Sequence, residues 1–157
     1  MAIMYEPLVI LHSWLRWVVL LLALLALGRA IAGWSGGRPW TPADDAAGKW
    51  FTIALDLQVL IGLVLYVFLS PHTLAALGNL AETMRDSASR FWAVEHLVGM
   101  IAGAALVHVG RVRVRKTPDS RRRHTLALVF FGLALVVIAA TIPWPFVPAA
   151  RPLFRGF

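Results

Sequence analysis

The sequence predicts an all-α integral membrane protein, an up-down-up-down bundle of four transmembrane helices. Three observations lead there. Apolar residues make up 59% of the 157-residue chain, at a mean hydropathy of +0.73, whereas a soluble domain carries roughly half even with glycine counted. These residues gather into four runs, about 8–31, 50–70, 91–109 and 125–142, each near the ~20 residues a helix needs to cross a ~30 Å hydrocarbon core. The basic residues alternate with the runs: segments 29–49 and 111–123 hold ten of the fifteen Lys and Arg, and Arg16, Arg85, Arg90, Arg151 and Arg155 fall on the other side. Positive loops stay in the cytoplasm, so 29–49 and 111–123 are expected there, with both termini outside. One domain, 1–157, fits the length.

Composition also excludes chemistry. With no cysteine there is no disulfide, iron–sulfur cluster, thiolate zinc site or covalent C-x-x-C-H haem attachment. The net charge of +7 would raise nucleic acid as a partner in a soluble protein. Here topology accounts for the charge, and no nucleic-acid partner is expected. H-E-x-x-H, P-loop and G-x-S-x-G motifs are missing, so an electron-transfer or accessory subunit is favoured over a stand-alone enzyme. The first run lacks a basic n-region and a small-residue cleavage site, and reads as a mature membrane helix.

The first span is almost wholly aliphatic from Val18 to Leu27 and opens with Leu11-His12-Ser13-Trp14-Leu15-Arg16-Trp17. His12 and Arg16, four apart, share a helix face. The tryptophans suit an interfacial belt, and Arg16 has snorkelling to the surface as its plain role. Segment 33–49 is a polar loop with Gly36-Gly37 and Pro39, and Thr41-Pro42 marks a helix start with Thr41 as N-cap. In the second span Gln58, Gly62 and Tyr66 form an i, i+4, i+8 row facing the bundle interior, and Asp56 is expected to pair with Arg29. In the connector 71–89, residues Thr73 to Met84 suit a short helix on the membrane surface, and His72 is expected to be solvated. The fourth span stops at Ile142-Pro143-Trp144-Pro145-Phe146, where two prolines end the helix. The tail with Arg151, Pro152 and Arg155 shows no pattern.

The third span carries the chemistry. It begins Arg90-Phe91-Trp92-Ala93-Val94-Glu95-His96, and Gly99 and Gly103 follow His96 at i+3 and i+7 on one face. Ionisable groups at membrane depth are costly and mark function by default. Two readings stay open: a flat cofactor, a haem ligated by His96, lying on the bare glycine face, or a small-xxx-small face that packs another helix. Topology adds a coincidence. Spans one and three start on the same side, and His12 and His96 lie at nearly equal depth, so two imidazoles could take one non-covalent haem iron from opposite faces. Such ligation leaves no open iron position and favours electron transfer. Arg16 would pair with a haem propionate, and Trp14, Trp17 and Trp92 would wall the ring. Glu95 is expected in an ion pair with Arg16 or Arg90 in preference to a proton relay. A second haem at His108 and His124 is disfavoured, since His96 and His108 project ~120° apart and span one has no second histidine. A metal without porphyrin is weaker still, because Glu95 and Asp56 lie at different depths.

The motifs Leu11-His12-Ser13-Trp14-Leu15-Arg16-Trp17, Glu95-His96-Leu97-Val98-Gly99-Met100 and Ile142-Pro143-Trp144-Pro145-Phe146 resemble those of small bacterial four-span membrane proteins labelled cytochrome b, over roughly residues 8–146. The resemblance implies a b-type haem with ligands His12 and His96 and the closing motif beside it. The expected function is a haem-bearing electron-transfer subunit of a bacterial inner (cytoplasmic) membrane, working between quinol and a periplasmic electron carrier. Other membrane subunits or a second copy of the chain are expected partners within the lipid bilayer. The alternative is a cofactor-free or pigment-binding structural subunit of a larger respiratory or photosynthetic membrane complex.

Overall fold

Seven α-helices succeed one another along residues 2–155, the part of the chain that the computed structural model describes. They are α1 (Ala2–Ser35), α2 (Pro42–Val64), α3 (Pro71–Gly78), α4 (Leu80–Thr83), α5 (Ser87–Arg90), α6 (His96–Lys116) and α7 (Ser120–Ala140). A π-helical turn, Leu65–Leu69, extends α2, and another, Phe91–Glu95, joins α5 to α6. No strand occurs among the described residues. Four stretches, Ile3–Ser35, Pro42–Leu69, Ser87–Lys116 and Ser120–Ala140, are long and apolar enough to cross a membrane. The chain is an all-α, multi-pass membrane protein. Helices α1, α2, α6 and α7 form a closed ring in which α1 touches α2 and α7, and α6 touches α2 and α7. One end of the bundle carries both termini; the other carries the basic loops.

Most of the helices outrun the apolar runs that predicted them, because polar turns can continue a helix into the interface without burying charge. Helix α2 starts eight residues before the expected boundary, at the Thr41-Pro42 signal. The Asp44 carboxylate reaches back to accept the Thr41 N–H (2.8 Å) and hydroxyl (2.6 Å), closing orphan groups of the first turn. The same carboxylate is buried and takes Arg29 Nε at 2.9 Å and the Arg38 guanidinium at 2.7 Å. Arg29 is therefore the partner of Asp44. The expected pair with Asp56 is corrected: Asp56 lies on the outer face of α2, bonded to His108 Nε2 at 2.8 Å. Arg111 to Asp45 (2.9 Å) and the Trp40 N–H to Ser120 Oγ (3.0 Å) tie the basic end to α6 and α7. Helix α7 stops two residues early, at Ala140, because Ile142 precedes a proline and is excluded from helical backbone. The connector holds α3 and α4, broken at Asn79, and the start of α5, and His72 lies in α3 instead of a loop.

Small residues set the helix spacing. Ala23, Ala26, Ala30, Ala47, Ala54 and Ala134 are core residues, and such side chains let membrane helices approach closely. A Cβ on Gly99 would collide with the Thr141 side chain, and one on Gly103 would sit 2.7 Å from Ile138 Cγ1. The bare faces of these two glycines are filled by α7. Of the two readings of Gly99 and Gly103, these contacts match the helix-packing one. Near the basic end, His124 is fully buried, its ring against Gly33 and 4.9 Å from the Trp40 ring. His108, by contrast, has a side chain 54% exposed on the outer surface.

Replacing Gly103 by Val is expected to push α6 off α7 and cost about 1–3 kcal/mol, the usual penalty of overpacking. Gly28→Ala, where an added Cβ meets nothing within 4 Å, is expected to be neutral or to stabilise by up to about 1 kcal/mol through helix propensity. Thermal unfolding of both variants in one detergent checks the contrast.

Candidate functional site

At the end that carries the termini, the ring of helices opens into a cleft of about 140 Å³. Helices α1 and α6 are diagonal in the ring, so residues on their inner faces look at each other across the bundle axis. His12 and His96 do so, with ring centroids 6.4 Å apart and planes crossing at 72°. Val19, Leu55, Met100, Ile138 and Ile142 make an apolar floor, and Arg16, Arg151 and Arg155 stand among the lining residues.

Local structure places each group. Helix α6 begins directly after the second π-turn, whose extra residue shifts the register of the α6 side chains; such turns recur at functional sites. The Tyr66 hydroxyl, in the first π-turn, donates to the Ala93 carbonyl of the second at 2.7 Å and ties α2 to α6 at the cleft. His96 is held from behind: its Nδ1 lies 2.7 Å from the Thr141 carbonyl oxygen, one of the acceptors left free where α7 ends. A carbonyl only accepts, so Nδ1 carries the proton and the neutral ring keeps its lone pair on Nε2. Gln58 donates to the His12 backbone carbonyl at 3.0 Å, and a Cβ on Gly62 would lie 3.0 Å from His12 Cε1. The Gln58–Gly62–Tyr66 row faces the interior, as its spacing predicts.

Five buried side-chain polar atoms lack a hydrogen-bond partner among the described residues. Three of them, His12 Nδ1, Gln58 Oε1 and Arg16 Nε, belong to residues that line this cleft; the other two are on His124. An orphaned buried polar group costs about 1–3 kcal/mol, and three of the five belong to residues of this one cleft.

The C-terminal segment, patternless in sequence, covers the mouth. Arg16 Nη2 and Trp17 Nε1 donate to the Leu153 carbonyl at 2.5 and 3.2 Å. Phe154 stacks on Trp17 at 5.3 Å and leans on Trp14 at 5.6 Å. The Arg151 guanidinium lies 5.0 Å from the Trp92 ring centroid, a cation–π contact. Of the three tryptophans expected to wall a cofactor, Trp92 lines the cleft. Trp14 and Trp17 contact the tail. Glu95 pairs with Arg90 at 2.7 Å on the exposed surface, outside the cleft. Sequence reasoning missed Thr141, Arg151 and Arg155; the only signal for Thr141 was its place at a proline-terminated helix end.

Partial burial first, then the charges of Arg151 and Arg155, push the His72 imidazole below the usual histidine range. Its neutral form is thus favoured by folding. The associated stability is complete above the unfolded value of ~6.5 and is lost as pH falls toward the folded value. Arg151→Gln with Arg155→Gln is expected to raise the His72 midpoint toward ~6.5, which a pH titration of the imidazole NMR signals reads directly.

Among the described residues, no group of three or more His, Cys, Asp or Glu could hold a metal ion. No family model, curated protein or solved structure matches the chain.

Proposed function

We propose that the chain is a membrane-embedded, b-type cytochrome-like subunit that binds one haem b in this cleft through His12 and His96 and takes part in electron transfer. The observation that carries the reading is the pair of imidazoles facing each other across the bundle axis at 6.4 Å. His12 and His96 would hold a metal between them at such a separation, since two metal–nitrogen bonds of ~2 Å and ~1 Å from each nitrogen to its ring centre would put the ring centroids ~6 Å apart. Two histidines without a third donor make a poor site for a bare ion, but they are enough for a metal that brings four nitrogens of its own.

The remaining residues fit the same occupant. The apolar floor suits a macrocycle. Arg16, Arg151 and Arg155 at the cleft suit two carboxylates, with Glu6 the acidic neighbour, 3.8 Å from Arg155. A haem would supply a one-electron iron couple there. The chain's own contribution is to hold His96 in one tautomer through the Thr141 carbonyl, to pack His12 against Gly62, and to keep water from the floor. The facing of both rings across one gap favours this reading over a pigment, which needs one histidine per metal. The distribution of Lys and Arg supports the orientation proposed with it: basic loops in the cytoplasm, termini and cleft on the periplasmic side of a bacterial inner membrane. There the cleft would face a quinol in the bilayer and a periplasmic carrier.

Purified in mild detergent after expression with haem supply, the protein is expected to show a b-type reduced-minus-oxidised spectrum at about one haem per chain by pyridine haemochrome, as one two-histidine site requires. His12→Ala and His96→Ala should each abolish it. Folded protein without haem rejects the reading, and pigment retained by one of the two variants favours the pigment alternative. Arg16→Gln, Arg151→Gln and Arg155→Gln combined should weaken haem binding about 10–100-fold, the worth of one or two charge-assisted bonds, and leave binding of haem dimethyl ester unchanged.

A further inference from the structure

One ion pair is left over from the cleft and from the clamp at the basic end. Asp56 Oδ1 and His108 Nε2 are 2.8 Å apart, with side chains 48% and 54% exposed. Asp56 lies six residues into the apolar run that begins at about residue 50, ~9 Å deep at 1.5 Å per residue. That is inside a ~30 Å hydrocarbon layer. The other ion pairs among the described residues, Arg29 and Arg38 with Asp44, Arg90 with Glu95, Arg111 with Asp45 and Arg155 with Glu6, all lie near the ends of the spans. Ionisable groups within spans almost always face the bundle interior or a wet cavity. This pair faces outward, on the seam between α2 and α6. Asp56 keeps one carboxylate oxygen, and His108 one ring nitrogen, without a hydrogen bond to the described residues.

We infer that this face packs against a second copy of the chain about a twofold axis along the membrane normal. Rotation about that axis preserves depth, so the Asp56–His108 pair of one copy meets the same pair of the other. An acid beside a base is self-complementary under such a rotation: in the imidazolium form, where both ring nitrogens donate, the Nδ1–H of one copy's His108 donates to the free oxygen of the other's Asp56, twice. Lipid tails cannot answer either group, and a soluble partner cannot reach this depth. The surrounding surface suits a helix contact. Leu60 and Leu63 on α2 and Ile101 and Val112 on α6 are exposed, and the small, exposed Ala105 lies one turn from His108, where it permits close approach. Nothing in this packing depends on haem binding.

The chain has no cysteine, so one introduced thiol reports one position. In lipid nanodiscs or native vesicles, Ala105→Cys is expected to form a reducible cross-linked dimer on mild oxidation. Val136→Cys, on the exposed face of α7 (66%), should not. Adding Asp56→Leu and His108→Leu to Ala105→Cys should cut the yield about fivefold, the effect of losing interhelical hydrogen bonds of ordinary strength, while thermal unfolding shows the fold intact. Equal cross-linking at 105 and 136, a yield unmoved by the two leucines, a strictly monomeric protein in the bilayer, or a different membrane protein cross-linked at 105 in place of a second copy would each overturn the proposal.

Discussion

Hydrocarbon offers no hydrogen bonds, so every polar group carried into it must be answered from within the bundle, and the two ends of this protein meet that demand differently. At the basic end only the ring nitrogens of His124 stay unanswered among the described residues. The buried Asp44 carboxylate takes two guanidiniums and both donors of Thr41, and the helix starts, loop and charge balance are closed together. At the end with the termini, an imidazole nitrogen, an amide oxygen and a guanidinium nitrogen are buried around one cleft with nothing among the described residues to meet them. A packing defect would be apolar. The cleft holds three of the five unmet atoms, and the His124 ring at the basic end holds the other two.

The cleft comes from how the helices are spaced. Along α6, Gly99, Gly103 and Gly110 let α7 close against it, with Thr141, Ile138 and Phe130 in the spaces their side chains would fill. On the other side of α6 the contact with α2 is looser, and at the cleft it is bridged by the Tyr66–Ala93 bond between two π-turns. One tight seam and one bridged seam leave the interior open at the diagonal where His12 and His96 look across. The Thr141 carbonyl that orients His96 is available because α7 ends there. Ring orientation and cleft volume therefore depend on the same helix terminus.

Four spans, their order and the inward row of Gln58, Gly62 and Tyr66 were legible in sequence, because hydropathy and helical period are local properties. The juxtaposition of His12 and His96 was legible too, since equal depth comes from counting residues from a shared side. Partner choice was not. Proximity to one surface suggests Asp56 for Arg29, yet Asp56 projects outward and Asp44 lies under the guanidinium; azimuth decides, and a ±1 residue shift rotates a side chain by ~100°. Gly99 and Gly103 carried two meanings that sequence could not separate, because a bare helix face serves a cofactor or a neighbouring helix equally well. The tail was illegible for a different reason. Residues 141–155 form no periodic element, and their placement comes from single contacts to Trp14, Trp17, Trp92 and Arg16.

That tail bears on the charge distribution. Positive residues are depleted from the outer side of membrane proteins by the rule that sets topology, and only five of the fifteen Lys and Arg lie at the end with the termini. Three of those five, Arg16, Arg151 and Arg155, line a single cleft, two of them carried there by the tail. Arg90 is taken by Glu95. Concentrating guanidiniums over an apolar floor opposes both topology and self-repulsion, and Glu6, at 3.8 Å from Arg155, offsets only part of it. The compensation is complete if the occupant brings negative charge at its rim and an apolar body below. On the function proposed above, a dicarboxylate macrocycle is such an occupant, and the arginines support that proposal independently of the histidines.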